Sequence, residues 1–167
     1  MGGNGMMKKK MPADAQISYA GAAGAVGGLL GFAGVYLKWF QYSYQVTGGT
    51  ITQYLNGTED WTGQVAFIAG LAALAFGAAY VLLSDPQIRK LTGALMGIGA
   101  IFLLAMSLLA FTRADEAVGQ PFLAGVAAGV PTQVAVGTGG GLWISIVGGI
   151  AAVYGAYLAI RSSSGSS

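Results

Sequence analysis

The run Gln64-Val-Ala-Phe-Ile-Ala-Gly-Leu-Ala-Ala-Leu-Ala-Phe-Gly-Ala-Ala-Tyr-Val-Leu-Leu83 holds 20 residues without a charge. At about 1.5 Å of rise per residue it makes about 30 Å of helix, the thickness of a bilayer's hydrocarbon core. Runs of the same character flank it: Ile17 to Phe40, with one charge at its far end, Leu91 to Phe111 and Leu142 to Ile160. The whole chain is 54% hydrophobic, only 8% charged and carries 29 glycines, far from the soluble average of about a quarter charged residues. The expected fold is therefore all-α, an integral membrane four-helix bundle of one domain. Its spans are about 17-40, 64-83, 91-111 and 142-160, joined by long outer loops over 41-63 and 112-141. Residues 1-16 read as a flexible basic leader and 161-167 as a disordered polar tail.

With lipid as the solvent, such helices associate through close packing rather than through a water-excluding core. Small residues four apart supply side-chain-free faces: Gly24 with Gly28, Gly27 with Gly31, Ala66 with Gly70, Ala73 with Gly77, Gly93 with Gly97, and the ladder Gly148, Ala152, Ala156. Gly24, Gly28, Gly31, Gly70, Gly77, Gly93, Gly97, Gly148 and Ala152 are the predicted helix-packing positions. Packing inside the monomer is the preferred reading over a dedicated dimerisation face.

The segment Lys38 to Gly63 is the polar, aromatic-bracketed interruption between the first two spans. Thr58 can cap the second span, with Glu59 and Asp60 in its first turn, where negative charge meets the helix dipole. Asn56-Gly57-Thr58 also matches the N-glycosylation pattern. Pro86, in the short Ser84 to Lys90 connection, reads as the residue that ends the second helix, making spans two and three antiparallel. Ala117 to Gly141 is apolar on average but interrupted by Pro121, Pro131 and several glycines, and Val130 to Thr138 has strand-like character. It is expected as an interfacial or short-helical cap, in preference to a re-entrant loop shielded by protein.

Lys8, Lys9, Lys10, Arg89, Lys90 and Arg161 fall on one side of a four-span topology, and only Lys38 and Arg113 on the other. By the positive-inside rule both termini are expected in the cytoplasm of a multi-pass cell-membrane protein, with the Lys38 to Gly63 segment outside. Lys8 to Lys10 ahead of an apolar run also suit a signal peptide. The exit Lys38-Trp39-Phe40-Gln41-Tyr42 has no small-residue cleavage site, which favours an uncleaved anchor. Met6 breaks the myristoylation pattern. Trp39, Phe40, Tyr42 and Tyr44 look like an interfacial aromatic belt beside a snorkelling Lys38. A helix, an outer loop and a helix introduced by Trp61 or Trp143, done twice, make a weak tandem repeat.

The chain has no cysteine and no histidine, which removes thiolate and imidazole chemistry from its inventory. Its charges are too few for a nucleic-acid surface, and no ionisable group lies within the spans unless Lys38 is drawn inward. No cofactor, metal or catalytic residue is assigned. Glu59, Asp60, Asp115 and Glu116 are better explained as helix-start and loop-end residues than as an acid/base pair or a calcium site.

Lys38-Trp-Phe, the loop closing on Glu59-Asp60-Trp61, Gly70-Leu-Ala-Ala-Leu and Gly141-Leu-Trp-Ile-Ser-Ile-Val-Gly-Gly-Ile make residues 17 to 160 resemble small four-span membrane proteins common in actinobacteria and their relatives. The resemblance implies the same architecture and brings no catalytic residue. The function expected is a non-catalytic accessory or assembly subunit, contacting lipid and a membrane-protein partner or itself. Trp39, Tyr42, Tyr44 and Trp61 would be the outer docking residues. The alternative is a small oligomeric channel or carrier whose path is lined by Ser107, Thr92, Tyr36 and Tyr80. Third comes a membrane enzyme using the outer carboxylates.

Overall fold

The computed structural model describes residues 12–46, 49–114, 116 and 134–164. Its elements are α1 (Ala13–Val35), β1 (Lys38–Val46), β2 (Gly49–Asn56), a 3-10 turn (Gly57–Glu59), α2 (Trp61–Leu82), α3 (Pro86–Thr112), β3 (Val134–Thr138) and α4 (Gly140–Ser164). All four α-helices contain segments long and apolar enough to cross a membrane. The chain is a multi-pass membrane protein built as a four-helix bundle, with a small antiparallel sheet of order β2-β1-β3 at one end. α1 and α3 stand diagonally opposite, each between α2 and α4.

Glycine sets how closely α1 sits. A Cβ on Gly21 would lie 2.7 Å from the Gly77 carbonyl oxygen, and one on Gly28 2.7 Å from that of Gly70, so α1 and α2 touch backbone to backbone. The α1–α4 seam repeats the device: Gly34 faces Gly141, Gly27 faces Gly148, and Gly155 faces Ala20. The third side of α1 turns to the bundle axis, where the Met96 and Leu103 side chains of α3 fill the space left by Gly24 and Gly31. Each of these series steps by seven residues: 21 and 28, 24 and 31, 27 and 34, 70 and 77, 96 and 103, and 141, 148 and 155. That is the repeat of a left-handed coiled coil. Gly93 makes room for the Tyr80 ring, Gly97 lies beside Ala156, and Ala152 is buried with Ala73 and Ala100. Every helix-packing residue predicted from the sequence thus meets a helix of its own chain.

The helix starts follow their caps. The Asp60 carboxylate accepts from the Thr62 N–H at 3.0 Å, so Asp60, not Thr58, caps α2. Asp85 accepts from the N–H groups of Gln87 at 2.7 Å and Ile88 at 3.2 Å. Pro86 therefore opens α3 instead of closing α2; at the first helical position its missing N–H costs nothing. The Arg89 guanidinium reaches back to the Leu83 carbonyl at 2.8 and 3.1 Å, satisfying an oxygen that the end of α2 leaves free.

The segment from Lys38 differs from the sequence reading. α1 stops at Val35, and Lys38–Val46 with Gly49–Asn56 form a hairpin in place of a helix end and an irregular loop. The physical reason is the alternation Phe40-Gln-Tyr42-Ser-Tyr44-Gln-Val46, whose period of two suits a half-buried strand. β3 adds to the other edge of β1, with Phe40 opposite Thr138 and Tyr42 opposite Val136. Of Ala117 to Gly141, residues 117–133 lie outside the described residues; 134–138 is β3, and α4 starts at Gly140.

Candidate functional site

The sheet end is where polar and aromatic side chains concentrate. A register shift between Lys38 and Phe40 breaks the alternation, so Trp39 and Phe40 both turn inward and are fully buried. The Trp39 indole donates to the Gly34 carbonyl at 3.0 Å, and Gly57 lies against its ring, leaving no room for a side chain there. Tyr42 is buried as well, within a cluster that includes Ala66 of α2, Ala110 of α3 and Leu142 of α4. Its hydroxyl donates to the Gln53 amide oxygen, and the Gln53 amide nitrogen donates to the Tyr44 hydroxyl at 3.3 Å. The Tyr42 and Tyr44 rings stack at 6.4 Å. Burial, then the neighbouring Tyr44 and Glu59, push the Tyr42 hydroxyl above the usual phenol range, so it holds its proton and remains a donor.

Trp39 and Tyr42, expected as outer docking residues, are instead core residues of the chain. Tyr44 is half-buried on the same face of β1. The other face of the hairpin is exposed and polar, with Lys38 as its one charge among the described strand residues. Gln41, Gln45, Thr50, Thr52 and Tyr54 lie there, Ser43 meets Thr52 hydroxyl to hydroxyl at 2.9 Å, and the Lys38 ammonium sits 3.6 Å above the Tyr54 ring. Lys38 is thus neither drawn into the bundle nor placed beside an exposed Trp39 and Phe40.

The exposed aromatics at this end of the bundle are other residues. Tyr36, Trp61, Phe111 and Trp143 are 41 to 55% exposed, and each comes from a different helix end beside the sheet. Phe111 and Trp143 meet edge to face at 5.3 Å, and Tyr36 packs edge-on against Phe32 and Phe67. Tyr19, Tyr154 and Tyr157 are the exposed tyrosines toward the opposite end. The Arg113 guanidinium lies 5.7 Å from the Trp61 ring and pairs with Glu116 at 2.6 Å. Trp61 is the one of the four predicted docking residues with about half of its surface exposed.

Glu59, Asp60 and Glu116, the described acids at this end, have structural partners. Glu59 accepts from the Asn56 N–H at 2.8 Å, Asp60 caps α2 and Glu116 pairs with Arg113; Asp115 lies outside the described residues. Asn56 is half-buried at the start of the 3-10 turn. Among the described residues no three or more acids come together as metal ligands. Comparison with models of known protein families and with curated proteins gives no match for this chain.

The four hydroxyls considered as a path do not converge within the monomer. Ser107 is buried and bonds the Leu103 carbonyl one turn back at 2.8 Å, and Thr92 bonds the Arg89 carbonyl at 3.0 Å. Tyr80 crosses to α4, bonding the Ala159 carbonyl at 3.3 Å and Ser162 at 2.8 Å, while Tyr36 faces outward. Sequence reasoning did not single out Gln53, Tyr54, Phe111 or Ser145, the last a buried residue whose hydroxyl donates to the Gly31 carbonyl at 3.2 Å. The strand alternation points to Gln53 and Tyr54 through their pairing with Tyr42 and Gln41. No sequence signal marks Ser145.

Proposed function

We propose that the chain is a non-catalytic accessory or assembly subunit of the membrane, docking through its sheet end onto a partner membrane protein or onto itself. Both chain ends lie in the cytoplasm and the sheet outside, following the excess of Lys and Arg at the other end of the bundle. The observation that carries this reading is how completely the bundle interior is used. The glycine seams are closed by the chain's own helices, and every buried polar side-chain atom among the described residues has a hydrogen-bond partner. An interior of this kind suits a rigid scaffold better than a carrier, which needs polar groups free to exchange partners with a cargo. The lipid-facing surface is bulky and apolar, exemplified by Ile68, Leu71, Ile98, Ile101, Val147 and Ile150. The sheet is left as the surface with directional chemistry. Gentle solubilisation followed by native size analysis and cross-linking in intact membranes tests this: a stable assembly is expected, and a lone monomer with no co-purifying or cross-linked partner sinks the proposal.

A further inference from the structure

We infer that the edge of β2 left unpaired among the described residues is the place where a second copy of this chain adds, strand against strand. This deepens the proposed function and rests on it, naming the partner as the chain itself. Among the described residues β2 is paired on one side only. In an antiparallel pair every second residue turns its N–H and C=O away from the partner strand, so β2 presents a row of outward backbone donors and acceptors along Gly49–Leu55, ending where the Asn56 N–H donates to Glu59. The ligand that matches such a row is another extended backbone. Edge strands that stay single are interrupted by lysine, proline or a bulge. Gly49-Thr-Ile-Thr-Gln-Tyr-Leu-Asn56 contains no charge and no proline, and the sheet's register shift falls at the far end of the hairpin, at Lys38.

Self-complementarity argues for a second copy. Set antiparallel to itself about Thr52, β2 opposes Thr52 with Thr52, Ile51 with Gln53 and Thr50 with Tyr54, with no like charges across the pair. The Ser43–Thr52 hydroxyl contact at 2.9 Å would then continue as a ladder through both copies. Phe40, Tyr42, Leu55 and Val136 turn the inner face of the sheet toward the bundle, so the sheet lies across its end. A two-fold axis along the membrane normal then brings two β2 strands together antiparallel and at one height.

The absence of native cysteine makes the test direct. Thr52→Cys, oxidised in native membranes, is expected to give a covalent dimer, while Ala135→Cys on the opposite edge strand stays monomeric. Thr52→Lys sets like charges face to face and is expected to abolish the wild-type dimer on native size analysis, with the helical circular-dichroism spectrum unchanged. If Thr52→Cys, Ile51→Cys and Gln53→Cys all fail to cross-link while the wild type is oligomeric or partnered, this inference falls and the accessory reading stands. If the wild type is a partnerless monomer, both fall.

Discussion

At Tyr42 a single side chain ties the hairpin to the bundle, burying its ring in the core while its hydroxyl engages Gln53. Tyr42→Phe keeps the ring and removes the bond, leaving a Gln53 oxygen that solvent partly reaches. We expect a loss of about 1 kcal/mol, read from chemical denaturation in detergent. The raised phenol sets a pH dependence with a definite sign. The folded state holds the Tyr42 proton more tightly than the unfolded state, so the stabilisation is whole below the ordinary tyrosine range and falls as pH rises above about 10. That fall is expected to shrink in Tyr42→Phe. The glycines divide just as sharply. A side chain at Gly28 meets the backbone of α2, so Gly28→Val is expected to cost about 1–3 kcal/mol or more. At Gly97 an added Cβ makes ordinary contact with Ala156 at 3.4 Å. Gly97→Ala should be neutral or stabilising in the same assay.

The helices were legible as elements because lipid imposes a length and an apolar composition that can be counted along the chain. Their starts were less so. Pro86 suits a helix end and a first helical turn alike, and Asp85 immediately before it decides for the second. Asp85→Ala and Asp60→Ala each remove an N-cap and should cost about 1 kcal/mol, measured as a lowered thermal midpoint. The hairpin was visible as alternation from Phe40 to Val46, but the same aromatics also fit an interfacial belt. The register shift at Lys38 to Phe40 further hid it by turning two successive residues inward. Trp61 and Trp143 are exposed together with Tyr36 and Phe111, because helix ends at the water boundary favour rings that are apolar on one side and polar on the other.

For the whole molecule, the proposed topology, with the sheet outside and the basic end inside, predicts opposite labelling. An impermeant thiol reagent added to intact cells should modify Gln45→Cys and spare Gln87→Cys, and the reverse result would invert the topology. The packing of this molecule could be read from the sequence as small residues four apart. Their assignment to particular seams came from the seven-residue step, which separates three faces of α1 that a spacing of four mixes together. The arrangement has a consequence for how the protein is made. α1 has the lowest mean hydropathy of the four spans, 1.3 against 2.2, 2.4 and 1.8, because glycine replaces the bulky residues that would hold it in lipid. The backbone groove along its Gly27 and Gly34 side is filled by α4, the last of the four to leave the ribosome. Until α4 is made, the Gly27 and Gly34 flank of α1 lacks the helix that fills it, so this seam closes only after the three other spans have been synthesised.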